Sequence, residues 1–175
     1  MAKLIVGIGM PGSGKTTVLK KFAAQYGYAY ICPDDIRQEL LGDVTDNSRN
    51  NEVWAEAYKR TREHLERGES IVFDATFADQ EYRRAFLKFA RENGAEKIQG
   101  IFVDVPSEIA RARNQARDRK VPDEIMNRME GDLKTMPPEL QDGFDAIFTL
   151  DEYQKMVSAE VGQEQTMKKE FTKPR

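Results

Sequence analysis

A chain of 175 residues with a single cysteine, Cys32, cannot build an internal disulfide framework, and with a single histidine, His64, it has little to offer a zinc site. The scarcity of cysteine fits a reducing compartment, and Cys32, behind the apolar stretch YAYI, reads as a buried thiol. Long hydrophobic runs are lacking as well. Glycine and proline interrupt the N-terminal one after about seven residues, too few for a signal segment or a membrane span. The expectation is a cytoplasmic protein with no membrane partner. Nor is there an excess of positive charge: 27 basic and 30 acidic side chains leave a formal net charge of -3. Contact with nucleic acid therefore needs a local basic patch. No internal repeat or low-complexity block stands out, and 39% apolar residues suit one ordinary core in one domain.

What is present is an alternation. Short apolar runs rich in β-branched residues, KLIVGIG (3–9), YAYIC (28–32), SIVFDA (70–75), KIQGIFVDV (97–105) and AIFTLD (146–151), are separated by longer charged, amphipathic stretches. That pattern predicts βα units around a parallel five-stranded sheet, an α/β fold. Helices are expected over 14–26, 34–41, 50–67, 79–92, 106–118 and 122–134, with Gly27, Gly68 and Gly94 closing three of them. LGDVTDNSRNN (41–51) reads as a loop long enough to touch substrate, and the prolines of MPPELQDG (136–143) forbid an α-helix there. Residues 158–175 form a polar tail that is either an exposed helix or frayed.

The sharpest signal is GMPGSGKTT, Gly9 to Thr17, directly behind the first strand. Gly9, Gly14, Lys15 and Thr16 meet the pattern G-x-x-x-x-G-K-[ST], and a helix begins on its far side. Backbone N–H groups and a helix N-terminus then converge where phosphate oxygens bind best. Glycines let the main chain wrap the phosphates, Lys15 reaches the β and γ groups, and the Thr16 hydroxyl can ligate Mg²⁺. Pro11, Gly12, Ser13 and Thr17 complete a candidate ATP or GTP site.

What receives the phosphate is decided at the other strand ends, where ligands of open α/β sheets sit. In CPDDIRQELLG, Asp34 is a candidate general base for an attacking alcohol, or else a helix N-cap; Asp35 reads as a first-turn dipole partner. Arg37, one turn on, can clamp an anionic group of the acceptor. In SIVFDATF, Asp74 either holds Mg²⁺ through water or pairs with Arg37, and Thr76 either donates to substrate or serves a cap or turn. In IARARNQARDRKVPDE, Arg113 and Arg117 share one helix face and can fold over the transferred phosphoryl group, with Arg111, Arg119 and Lys120 adding positive potential; the alternative is a solvated charged helix. His64, among charges, reads as a surface residue. Trp54, Tyr58 and Leu65 suggest a buried stripe, with Trp54 as a stacking platform for a base the other reading, and Met126, Met129 and Leu133 suggest core.

In this order and spacing the motifs resemble the 5'-OH polynucleotide kinase domain of T4-type phage enzymes, a branch of the P-loop kinases. The resemblance covers roughly residues 1 to 135 and rests on IGMPGSGKTT, DDIRQ, FDAT and VDVP followed by RNQAR. It implies a three-layer P-loop kinase fold over residues 1–157, with sheet order 2-3-1-4-5, helices on both faces and an Arg-bearing lid at about 106–121. It further implies ATP and Mg²⁺ at Lys15 and Thr16, Asp34 as base on the 5'-hydroxyl, and Arg37 on the 3'-phosphate of the terminal nucleotide. Asp74 would support Arg37, and Arg113 and Arg117 would contact ATP from the lid. The acceptor would be a 5'-OH nucleic-acid end or a 3'-nucleotide, entering opposite ATP. There are two departures. No D-x-D-G-T motif follows, so no 3'-phosphatase activity is expected, and CP precedes the paired aspartates where the phage kinase has polar residues. Two rival readings are a kinase of a small alcohol (nucleoside, sugar acid or antibiotic) and a nucleotide-dependent switch or motor ATPase with no organic acceptor.

Overall fold

The computed structural model describes residues 1–159. Five strands, β1 (Lys3–Ile8), β2 (Ala29–Ile31), β3 (Ile71–Asp74), β4 (Lys97–Phe102) and β5 (Ala146–Thr149), form one sheet of order β2-β3-β1-β4-β5. Every neighbouring pair is parallel. Six helices, α1 (Lys15–Tyr26), α2 (Pro33–Leu41), α3 (Asn50–Glu66), α4 (Gln80–Glu92), α5 (Ser107–Gln115) and α6 (Asp123–Thr135), make the connections. Residues 150–159 are a further helix, α7.

Alternation along the strands explains why helices cover both faces. Leu4, Val6, Ile8, Ile71 and Phe73 point into one cluster, which Ile36, Val53, Phe86, Leu87 and Met126 complete. Ile5 and Val72 point the other way, onto Leu19, Phe22 and Tyr153. Apolar side chains on both faces are the condition under which a parallel sheet is stable. Leu65, Met126 and Leu133 are buried and Met129 packs against them, as their helical spacing predicts. No helix among the described residues is long and apolar enough to cross a membrane.

The elements fall close to their expected bounds, with instructive differences at the ends. The AIFTLD run does not stay extended to Asp151, because Thr149 and Glu152 cap the next helix reciprocally: Glu152 Oε2 accepts from the Thr149 N–H at 2.8 Å, and Thr149 Oγ1 accepts from the Glu152 N–H at 3.3 Å. That helix passes through the expected domain boundary at residue 157; the rest of the expected tail, 160–175, lies outside the described residues. The two prolines do exclude an α-helix at 136–143, yet a 3-10 turn, Leu140–Asp142, forms behind them. In register, Gly7 of β1 lies opposite Asp74 of β3. The end of β1 and the end of β3 therefore open onto one place, and the loop after β1 lies beside Asp74.

Candidate active site

A cleft of about 840 Å³ opens at the carboxyl ends of the strands, lined by the Gly-rich loop, the start of α2, the end of β3 and the segment from α5 to α6. On the loop side, α1 begins with Gly14 in a left-handed conformation and no side chain capping it. Its first N–H groups are thus left for a ligand. Gly12 (φ 83°) has a further reason to be glycine, since a Cβ there would stand 2.2 Å from the Ala110 carbonyl oxygen of α5. The Gly-rich loop and α5 approach each other closely enough that backbone meets backbone. The Gly9 N–H donates to the Thr76 carbonyl at 3.2 Å, tying the loop to the end of β3. Ser13 Oγ is buried without a partner among the described residues. Pro11, Thr16 and Thr17 line the cleft.

Lys15 is buried, and its Nζ donates to Asp74 Oδ1 at 2.6 Å. The Tyr30 hydroxyl donates to Asp74 Oδ2, also at 2.6 Å. Burial pushes the Asp74 carboxyl up, but the Lys15 ammonium and hydrogen bonds from Lys15, Thr16 and Tyr30 outweigh it and hold it below the usual carboxylate range. Burial first, then the Asp74 charge, drives the Tyr30 hydroxyl far above its ordinary value. Burial and the same charge raise the Cys32 thiol, which is buried as its apolar setting predicts. Asp74 is therefore not the partner of Arg37 here; it stands beside the lysine and Thr16 of the loop.

Arg37 is engaged elsewhere. One Nη contacts Asp34 Oδ1 and the other donates to Asn50 Oδ1 at 2.8 Å, while the buried Nε has no partner among the described residues. Its side chain is only 5% exposed against 43% for Asp34, so a buried cation is presented to the cleft behind a half-open carboxylate. The cap reading of Asp34 does not hold, because the N-cap position of α2 is Cys32 and Asp34 lies inside the first turn behind Pro33. Asp35 sits in that first turn and pairs with Lys20 at 3.2 Å. Thr76 is likewise no cap, since Asp79 accepts from Tyr82 N at the start of α4; Thr76 faces the cleft.

From α5 and the loop after it, Arg113 donates to the Ser13 carbonyl at 3.3 Å, and Arg117 and Lys120 line the cleft without an acidic partner among the described residues. Arg119 crosses to Asp34 Oδ2 at 2.5 Å. Arg111 does not add its charge to the cleft. Ser107, Asn127 and Glu130 bind it, fastening α5 to α6. Trp54 is partly buried, its ring 6.2 Å from that of Phe73, and it also lines the cleft. His64 lies at the surface, between Arg67 and Glu69.

Sequence reasoning missed Tyr30, Asn50 and Arg83. Tyr30 and Asn50 are ordinary members of a strand and a helix start. Arg83 looks like one more charge in QEYRRAF yet is wholly buried, donating to Asp142 Oδ2 and to the Phe77 carbonyl, both at 2.7 Å, and to the Met136 carbonyl at 3.0 Å. It fixes the loop after β3, where Phe77 takes a positive φ of 46°.

This fold and this loop are those of a P-loop kinase. Residues 4–136 match the AAA_33 family, described as an AAA domain, and the chain belongs to that family. It is 27% identical over 158 residues to a protein of Acanthamoeba polyphaga mimivirus described as a bifunctional polynucleotide phosphatase/kinase, a match covering 86% of this chain and 34% of that one. The chain thus spans about a third of that relative's length. In fold it is similar to a chain of the Pnkp1/Rnl/Hen1 RNA repair complex (TM-score 0.67, 18% identity, 77% of this chain and 44% of that one). It is similar also to the shikimate kinase of Bacteroides thetaiotaomicron (TM-score 0.56, 19% identity, 94% and 98% covered).

Proposed function

We propose that this P-loop kinase transfers the γ-phosphate of ATP to the 5'-hydroxyl of a nucleic-acid end or a 3'-nucleotide. One observation carries the reading: across the cleft from the phosphate loop, a half-exposed carboxylate, Asp34, stands in contact with a buried guanidinium, Arg37, that keeps an unused N–H. A carboxylate at a strand end can take the proton of an attacking hydroxyl, and a fixed guanidinium beside it can hold a neighbouring phosphate. Together they suit an acceptor whose hydroxyl and phosphate lie one nucleotide apart. The mimivirus relative, described as a polynucleotide phosphatase/kinase, supports the same acceptor class.

On the donor side, the open N-terminus of α1 and Lys15 would hold the triphosphate. Arg113 and Arg117 would approach it from the lid as charge moves to the leaving oxygen. Thr16 and Asp74, both lining the cleft beside Lys15, would be the oxygen donors for Mg²⁺. No cluster of three histidine, cysteine or acidic ligands exists among the described residues. Such a sparse donor set suits an ion that keeps mostly water and phosphate ligands. When bound, it would supply charge neutralisation to the triphosphate. Lys15 would leave Asp74 for the phosphates, and Tyr30 would keep the carboxylate in place.

The test is transfer of labelled γ-phosphate to a panel of 5'-OH oligonucleotides, 3'-nucleotides and unphosphorylated alcohols. Lys15→Ala should abolish every transfer, and Arg37→Ala should mainly harm acceptors bearing a 3'-phosphate. Simple nucleosides or sugars reacting as well as a 3'-nucleotide would transfer the assignment to a small-alcohol kinase.

A further inference from the structure

Both oxygens of the Asp34 carboxylate are occupied, and the two cations that occupy them differ in how they are held. Arg37 belongs to the same helix, is buried, and is fixed from behind by Asn50. Arg119 comes from the opposite wall and is 22% exposed. It rides on the loop between α5 and α6, whose two ends are pinned together at its base. Buried Asn114 donates to the Val121 carbonyl at 2.9 Å, and the Val121 N–H donates to Asn114 Oδ1 at 3.0 Å. The loop can therefore keep its shape while the Arg119 side chain swings. Of the two carboxylate oxygens, only the one held by Arg119 can be freed without unpacking the protein.

We infer that Arg119 is a latch on Asp34 that selects the acceptor: it blocks the carboxylate until a phosphate carried beside the incoming hydroxyl offers the guanidinium another anionic partner. Water brings no such anion, so it is a poor competitor for the free carboxylate oxygen, and the enzyme does not waste ATP between acceptors. In the productive exchange the guanidinium moves from carboxylate to phosphate and the acceptor hydroxyl takes its place on Asp34. The hydroxyl oxygen bonds to the γ-phosphorus, the bond from that phosphorus to the ADP oxygen breaks, and the proton passes to Asp34. With the latch removed, water follows the same course and yields ADP and inorganic phosphate. The blocking of Asp34 rests on its role as base; the release rests also on an acceptor that carries an anionic group beside its hydroxyl.

The experiment is ATP hydrolysis by the full chain with no acceptor present, in wild type, Arg119→Ala, Arg119→Lys and the double variant Arg119→Ala/Asp34→Asn, with thermal melting to establish that each folds. Arg119→Ala should raise acceptor-free hydrolysis roughly five-fold, the scale of one partly exposed ion pair. Arg119→Lys should lie between it and wild type, and the double variant should lose the gain. In parallel, Arg119→Ala should erode the preference for a 3'-nucleotide over its nucleoside. Unchanged or reduced hydrolysis in a folded Arg119→Ala protein overturns the latch, as does a gain that survives loss of Asp34. Because hydrolysis needs no organic acceptor, a rise in it alongside inert 5'-hydroxyl substrates would sink the acceptor assignment and leave the latch standing.

Discussion

Replacing Arg83 by alanine should be among the most destructive single changes away from the cleft. The guanidinium and the Asp142 carboxylate are both wholly buried and 2.7 Å apart. The same guanidinium serves the carbonyls of Phe77 and Met136, so truncation leaves a charge and two acceptors without this donor. Breaking a buried pair by removing one partner costs about 3–5 kcal/mol, a large part of the roughly 5–15 kcal/mol that holds a domain folded. At about 2–4 °C per kcal/mol for a chain of this size, the melting temperature should fall by roughly 6 to 20 °C. Urea denaturation gives the free energy, and Arg84→Ala is the internal control. Arg84 shares Asp142 at 2.7 Å but is 47% exposed, so its loss should cost no more than about 1 kcal/mol. If Arg83→Ala costs less than about 1 kcal/mol, or no more than Arg84→Ala, the claim that this buried ion fixes the loop after β3 is refuted.

Other outcomes follow from the same geometry. Burial pushes the Asp142 carboxyl up, but hydrogen bonds from Arg84 and Arg83 hold it below its ordinary value of 3.8. A carboxyl lowered by folding stabilises the fold above its unfolded pKa. Its contribution should therefore be complete at neutral pH and vanish as pH falls below about 4 through the folded value, which urea midpoints of wild type and Asp142→Asn across pH 7 to 2.5 will show as a converging difference. Gly12→Ala must move the loop off α5, since its Cβ would lie 2.2 Å from the Ala110 oxygen. At about 1–2 kcal/mol for a left-handed non-glycine residue before that collision is counted, ATP affinity by calorimetry should drop at least about ten-fold while the helical circular dichroism persists. Tyr30→Phe deletes a hydrogen bond to a buried carboxylate and should lower stability by about 1.5–3 kcal/mol in urea titration.

Much of the fold was legible because its cause is local. Both faces of β1 and β3 carry apolar residues, α1 stops at Gly27, and GMPGSGKTT announces its own turn. The strand order came with the resemblance to polynucleotide kinases rather than from patterning. What stayed hidden depends on partners distant in sequence. Arg83 looks solvated until residues 136 to 142 return to cover it, Arg111 looks cleft-facing until Glu130 arrives from α6, and the split of Asp74 and Arg37 between different partners is set by Tyr30 and Asn50. The end of β5 was misplaced for a local reason that was legible: Thr149 and Glu152 carry the spacing of a capping box.

The central claim is that Asp34 takes the proton of the attacking hydroxyl, and the most direct measurement is single-turnover phosphoryl transfer to a 5'-OH 3'-nucleotide by Asp34→Asn, with ATP binding determined on the same protein. The expected result is a rate lower by about 10²–10⁴-fold, the usual share of general-base help, with ATP affinity nearly unchanged. A variant that transfers phosphate at the wild-type rate would contradict the account.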